Sequence, residues 1–208
     1  MRITCTEIGK KYQGQWIFSN ITFDFVENSK TAIVGFNGSG KSTLLSILSG
    51  YTTPTKGEIK HINNNGEISK DEIFNHLSIG SPYIEVPEEL SPSELIKTFA
   101  SFKPFMKGMH AAEIIDCLRL SKEAEKPIKY FSSGMKQRLK VGLAILADVP
   151  LLLLDEPLSN LDKEGNEWFN NLMLQYIRNK TVIIASNNIE DEIKLCNSII
   201  DISKFKKN

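Results

Sequence analysis

One run of nine residues, Gly35-Phe36-Asn37-Gly38-Ser39-Gly40-Lys41-Ser42-Thr43, limits the possible folds more than any other part of the chain. It fits the pattern GxxxxGK[ST]. Glycines at 35, 38 and 40 let the backbone turn tightly, so that successive N–H groups point at one phosphate. Lys41 adds a point charge, and Ser42 offers a hydroxyl to Mg²⁺. The flanks agree. Thr31-Ala32-Ile33-Val34 is a short apolar strand leading in, and Leu44, Leu45, Ile47 and Leu48 follow at helical spacing until Gly50 stops them. A helix starting beside Lys41 aims the positive end of its dipole at the same anion. Every residue from Gly35 to Thr43 is therefore a candidate phosphate contact.

A second signal lies in Leu151-Leu152-Leu153-Leu154-Asp155-Glu156-Pro157. Continuous apolar runs of strand length are typical of buried parallel strands, and Thr181-Val182-Ile183-Ile184 is another. A helical stretch from about Lys163 to Arg178 separates them. Strand–helix–strand repetition predicts an α/β parallel sheet with helices on both faces. The leucine strand delivers Asp155 to the carboxyl edge of that sheet, where open α/β folds bind ligands. There Asp155 can hold Mg²⁺ through water, and Glu156 can polarise an attacking water as a general base.

The remaining segments fill in the frame. Ile21, Phe23 and Phe25 alternate with Thr22 and Asp24, which predicts a half-buried strand ending at Val26, and the first 34 residues read as strands throughout. Pro82, Pro87, Pro92 and Pro104 then punctuate a mainly helical insert, with helices over Ser93–Phe102 and His110–Leu120. An amphipathic helix follows over Met135–Ala147. The expected organisation is one domain spanning residues 1–208. Its core comprises 1–80 and 136–208, and a helical subdomain covers about 81–135.

Between the two phosphate signals lies Phe131-Ser132-Ser133-Gly134-Met135-Lys136-Gln137-Arg138, which resembles the signature of ABC-type ATPases, most often written LSGGQ. Ser159-Asn160-Leu161-Asp162 resembles the D-loop of that family, and Tyr12 occupies the place of its adenine-stacking aromatic. The resemblance runs in the right order over essentially the whole chain. It implies a P-loop NTPase core with a mostly parallel sheet, an N-terminal antiparallel β subdomain and a small helical subdomain. It also implies ATP and Mg²⁺ as cofactors and a head-to-tail homodimer. In that dimer each ATP sits between the Gly35–Thr43 loop of one copy and Ser132, Ser133 and Gly134 of the other, with Asp162 at the interface. A separate integral membrane permease would carry the transported substrate. Local alternatives remain open: Ser132 and Asp162 can each cap the helix that follows, Tyr12 can be an ordinary aromatic, and Trp16 reads as packing.

Three departures from the family pattern bear on chemistry. Ser133 replaces a glycine and Met135 a glutamine in the signature. Pro82, in Ser81-Pro82-Tyr83-Ile84-Glu85, stands where the family has a glutamine that touches Mg²⁺, with Tyr83 and Glu85 as substitutes. Asn187, followed by Asn188, stands where the family has a switch histidine. Asparagine can hydrogen-bond a γ-phosphate and cannot become a cation. The expectation is slow but real hydrolysis carried by Glu156, Lys41 and Asn187.

Composition narrows the rivals. Lys+Arg and Asp+Glu both number 25, so no bulk positive charge speaks for nucleic acid. Three scattered cysteines offer neither a metal spacing nor a redox pair. No segment approaches the roughly 20 apolar residues of a membrane helix, and the N-terminus has no apolar signal core. A cytoplasmic protein held at the inner membrane face by its permease fits these facts. Lys204, Lys206 and Lys207 read as a solvated tail. The alternative is a nucleotide-gated clamp with little turnover. A small-molecule kinase would explain the phosphate loop and not the signature.

Overall fold

The computed structural model describes residues 1–106, 108–187 and 189–206; Asn188 and Lys207 lie outside them. The chain opens with a hairpin of β1 (Arg2–Tyr12) and β2 (Gln15–Phe25). Its two-residue turn, Gln13-Gly14, has positive φ at both positions, the backbone twist that two-residue hairpins favour. Then come β3 (Lys30–Val34), α1 (Lys41–Leu48), the hairpin of β4 (Lys56–Asn63) and β5 (Gly66–Glu67), and β6 (Leu77–Gly80). Helices α2 (Pro92–Phe102), α3 (Ala111–Cys117) and α4 (Ser133–Leu146) precede β7 (Leu151–Asp155). The chain continues through α5 (Lys163–Tyr176), β8 (Thr181–Ser186), α6 (Glu190–Ile193) and β9 (Ser198–Asp201) to a 3₁₀ turn at Ile202–Phe205.

Two sheets form. One is antiparallel with order β2-β1-β4-β5, and the other is parallel with order β6-β7-β8-β3-β9. This is the expected class: a parallel α/β core with an antiparallel β part and helices. Helices lie on both faces, as expected, but on one of them a helix shares the cover with the antiparallel sheet. Leu152, Leu154, Val182 and Ile184 pack in a cluster with Leu139, Leu143, Trp168, Phe169 and Met173 of α4 and α5. Their neighbours Leu151, Leu153, Ile183 and Ala185 pack instead with Leu44, Ile47 and Leu48 of α1 and with Ile3, Ile8, Phe18, Ile21 and Phe25 of the antiparallel sheet. Side chains alternate along a strand, so each leucine of β7 belongs to one layer or the other. Helix α1 has only eight residues, too short to cover a five-stranded sheet, and the apolar face of the β1–β2 hairpin completes the cover. Each large side chain so buried contributes about 1.5–3 kcal/mol.

Helix α4 begins at Ser133, two residues before the expected Met135, and two helices end early. Helix α3 stops at Cys117, and Arg119 turns into the left-handed region with φ 55°, so the predicted stretch to Leu120 ends in a turn. Helix α5 ends at Tyr176, short of Arg178.

Register places the site. Val34 pairs with Ser186, Asp155 with Ala185, and Gly80 with Leu154. Four parallel strands therefore end at one edge. The Gly35 loop, Asn187, Glu156 and Ser81-Pro82-Tyr83 all leave from it.

Candidate nucleotide-binding site

The glycine-rich loop is pressed against β2. Gly40 caps α1 with φ 104°, and a Cβ there would lie 2.6 Å from Ile17 and 2.9 Å from the Phe18 ring. Glycine is the residue that satisfies both the angle and the contact. Ser39 is fully buried beneath the loop, with a hydroxyl that lacks a protein partner. Phe36 is exposed and lies under the Lys206 ammonium, 4.5 Å from its ring centre.

Lys41 is buried, 4% exposed. Its Nζ donates to the carbonyls of Gly35 at 2.9 Å and Phe36 at 3.2 Å, and to Asn187 Oδ1 at 2.6 Å. Asn187 Nδ2 in turn donates to Glu156 Oε1 at 3.0 Å. One asparagine thus joins the phosphate-loop lysine to the candidate base. Burial lowers the Lys41 ammonium from its ordinary value, opposed by Glu156, Asp155 and Glu192.

Asp155 is buried, 5% exposed, and its Oδ1 has no protein partner. Burial pushes this carboxyl up; the Ser42 hydroxyl pulls it down, Glu156 pushes it further up and Lys41 pulls it down. A buried carboxylate oxygen without a partner is costly, so the pair Ser42 and Asp155 fits a cation. Glu156 sits at φ 44°, a left-handed conformation that costs a residue with a Cβ about 1 kcal/mol or more. Three bonds hold the segment. Glu156 N donates to Ala185 O at 2.9 Å, and Gln137 Nε2 donates to the carbonyls of Glu156 at 3.4 Å and Pro157 at 3.0 Å.

An open cleft of about 470 Å³ is lined by Asn37, Gly38, Gly40, Lys41, Ser42 and Thr43 together with Ile17, Tyr83 and Glu156. Of the two candidates near the absent glutamine, Tyr83 reaches this cleft. Glu85 lines a neighbouring groove beside Ser133, Lys136 and Gln137. Chiefly the charge of Glu156 pushes the Tyr83 phenol above its ordinary value. Ile17, on a strand of ordinary pattern, gave no signal in the sequence.

The other singled-out residues stand away from this cleft. Tyr12, at the end of β1, is half exposed, with the Lys10 ammonium 4.9 Å from its ring centre. Trp16 is half-buried on β2. Ser132 caps α4, accepting from Met135 N at 3.2 Å, and Asp162 caps α5, accepting from Gly165 N at 2.8 Å. Ser132 and Ser133 are exposed, and a Cβ on Gly134 would lie 3.0 Å from Asn160 O.

The sequence profile of the ABC transporter family matches residues 18–159, from within β2 past the acidic strand end to Ser159. The chain belongs to the ABC transporter family. Within it, this chain is an ATP-binding subunit. It is 30% identical over 208 residues to the ABC transporter ATP-binding protein YybJ of Bacillus subtilis, covering 97% of this chain and 92% of that one. It is 31% identical over 182 residues to YcbN of the same organism, also an ABC transporter ATP-binding protein; the match covers 86% of this chain and 59% of YcbN's length. Among solved structures, the dimeric bacterial ABC transporter cassette MJ0796 superposes with a TM-score of 0.78 over 97% of this chain and 95% of that one, at 21% identity.

Proposed function

We propose that this ABC subunit hydrolyses ATP as a head-to-tail homodimer and couples the reaction to a substrate passing through a separate membrane permease. The observation that carries the reading is the bonded chain Lys41–Asn187–Glu156 at the mouth of the phosphate loop. It sets a cation for the phosphates and a base for water on either side of one amide. In this reading the loop N–H groups and Lys41 hold the β- and γ-phosphates. Glu156 accepts the proton of the attacking water. Asn187, taking the histidine's place, orients Glu156 and hydrogen-bonds the γ-phosphate without adding charge. Ser42 and Asp155 would hold Mg²⁺, whose charge offsets that of the phosphates. Among the described residues no cluster of three His, Cys, Asp or Glu could hold a metal alone, so the nucleotide and water would complete that shell.

The dimer follows from reach. Ser132, Ser133 and Gly134 cap a helix outside the cleft of their own chain, so a second copy brings them to the γ-phosphate, with Asp162 beside the interface and Tyr12 at the adenine. The dimeric form of MJ0796 supports this arrangement. Among the described residues no helix is long and apolar enough to cross a membrane, and the permease supplies that function, holding the subunit at the inner membrane face. The transporter names of the relatives give no support to a clamp without turnover.

Purified protein with MgATP should release phosphate, and Glu156→Gln should slow release at least about a hundredfold while ATP binding persists. Equal rates in the two proteins would sink the proposal.

A further inference from the structure

Glu192, on α6, is a carboxylate buried to 1% exposure that has no part in the chemistry above. It is not idle. Its Oε1 accepts from the backbone N–H of Leu158 at 3.1 Å, and its Oε2 accepts from the Ser186 hydroxyl. Ser186 Oγ in turn accepts from Ile189 N at 3.1 Å. Leu158 lies two residues after Glu156, and Ser186 immediately precedes Asn187. One side chain therefore fastens both segments that meet at the Asn187–Glu156 hydrogen bond. From the opposite side, buried Gln137 of α4 grips the carbonyls of Glu156 and Pro157. The peptide groups at 156–158 are thus held from two helices.

A buried carboxylate is costly unless its bonds return more than its desolvation. Here burial pushes the carboxyl up from its ordinary value, and Glu156 and Asp155 push the same way, against the bonds from Ser186 and Leu158. An apolar residue would spare α6 that cost and leave the Leu158 N–H and the Ser186 hydroxyl unheld. What the carboxylate supplies is a fixed spacing between the loop after β7 and the end of β8.

We propose that Glu192 is a positioning residue for ATP hydrolysis, holding the Glu156 segment and the Asn187 segment in register so that base and γ-phosphate contact are presented together. It deepens the functional reading above and rests on it. Glu192 neither lines the cleft nor bonds to Lys41, and its charge is the last of those acting on that lysine, so its loss should act mainly on turnover and little on ATP affinity.

The test compares the steady-state kcat and KM for ATP of the wild type, Glu192→Ala, Glu192→Gln and Ser186→Ala, with active fraction fixed by ATP-binding stoichiometry. Glu192→Ala should lose about tenfold in kcat with KM within about twofold of the wild type. Glu192→Gln keeps an acceptor for Leu158 and a donor for Ser186, and should recover to within about threefold. Ser186→Ala removes one arm alone and should fall between them. An unchanged kcat in Glu192→Ala overturns the proposal. A Gln variant as slow as the Ala variant also overturns it, since charge and not placement would then matter. If the Ala variant does not fold, Ser186→Ala at wild-type kcat overturns it equally. A wild-type chain without turnover sinks the ATPase reading and this inference with it, whereas an active wild type matched by Glu192→Ala sinks this inference alone.

Discussion

Tyr83 is the residue we propose takes over the place where the family pattern has a glutamine. Its neighbour Pro82 has no side-chain donor, while Tyr83 lines the cleft with Lys41, Ser42 and Glu156. Glu156 keeps the phenol protonated beyond its ordinary range, so it stays a donor at every working pH. A donor aimed at a developing phosphate or at the attacking water is removed cleanly by Tyr83→Phe. The expected result is a fall of about tenfold in kcat, at the mild end for such a donor because Tyr83 is largely exposed, with ATP binding unchanged by fluorescence titration. Equal kcat would deny Tyr83 that role. At this scale the sequence was uneven in what it told. Gly35 to Thr43 and Asp155-Glu156 were legible because their chemistry is contiguous. The bond from Asn187 to both Lys41 and Glu156 was not, because it depends on which strand lies between two others. Glu192 gave no sign, since a glutamate in a short acidic helix ordinarily faces water.

Helix α4 has one observed role and one proposed role at the same terminus. Ser132 caps it by accepting from Met135 N, and the reading above also turns that terminus toward a partner's phosphate. Ser132→Asp separates the two. Aspartate is as good a cap as serine and suits the positive end of the dipole, so thermal stability should hold to within about 0.5 kcal/mol. Its charge should repel the γ-phosphate and lower turnover at least about tenfold. A variant with intact turnover would leave capping as the only role of Ser132. Elements with strong patterning, the continuous apolar runs of β7 and β8 and the amphipathic α4, were readable from the residues alone. The early end of α3 was not, because Arg119 takes a left-handed turn that its residue type does not announce.

At the scale of the whole molecule the prediction concerns two copies. With nucleotide bound, the Gly35–Thr43 loop of one should face Ser133 of the other, so Asn37→Cys/Ser133→Cys in a Glu156→Gln background should form a disulfide-linked dimer with ATP and stay monomeric without it. Two of the three native thiols interfere little, since burial pushes Cys5 up to about 12 and Cys196 up to about 11 and thiolate is the reactive form; Cys117, partly exposed, is replaced by serine in the test protein. Failure to crosslink on non-reducing gels would sink the head-to-tail arrangement. The class of the fold was legible from strand and helix order, but the sheet's second cover was not. Nothing local in β1 and β2 says that their apolar face shares a layer with α1 and completes the cover of the parallel sheet. The central place of β8 has a further consequence. Every residue of Thr181–Ser186 is buried, and the strand is bonded on both sides. Deleting one of its residues would preserve the ladder and swap which side chains meet each layer, while drawing Asn187 back by a notch of about 3.3 Å. The strand acts as a vernier scale for the machine, and its length, more than its composition, tolerates no editing.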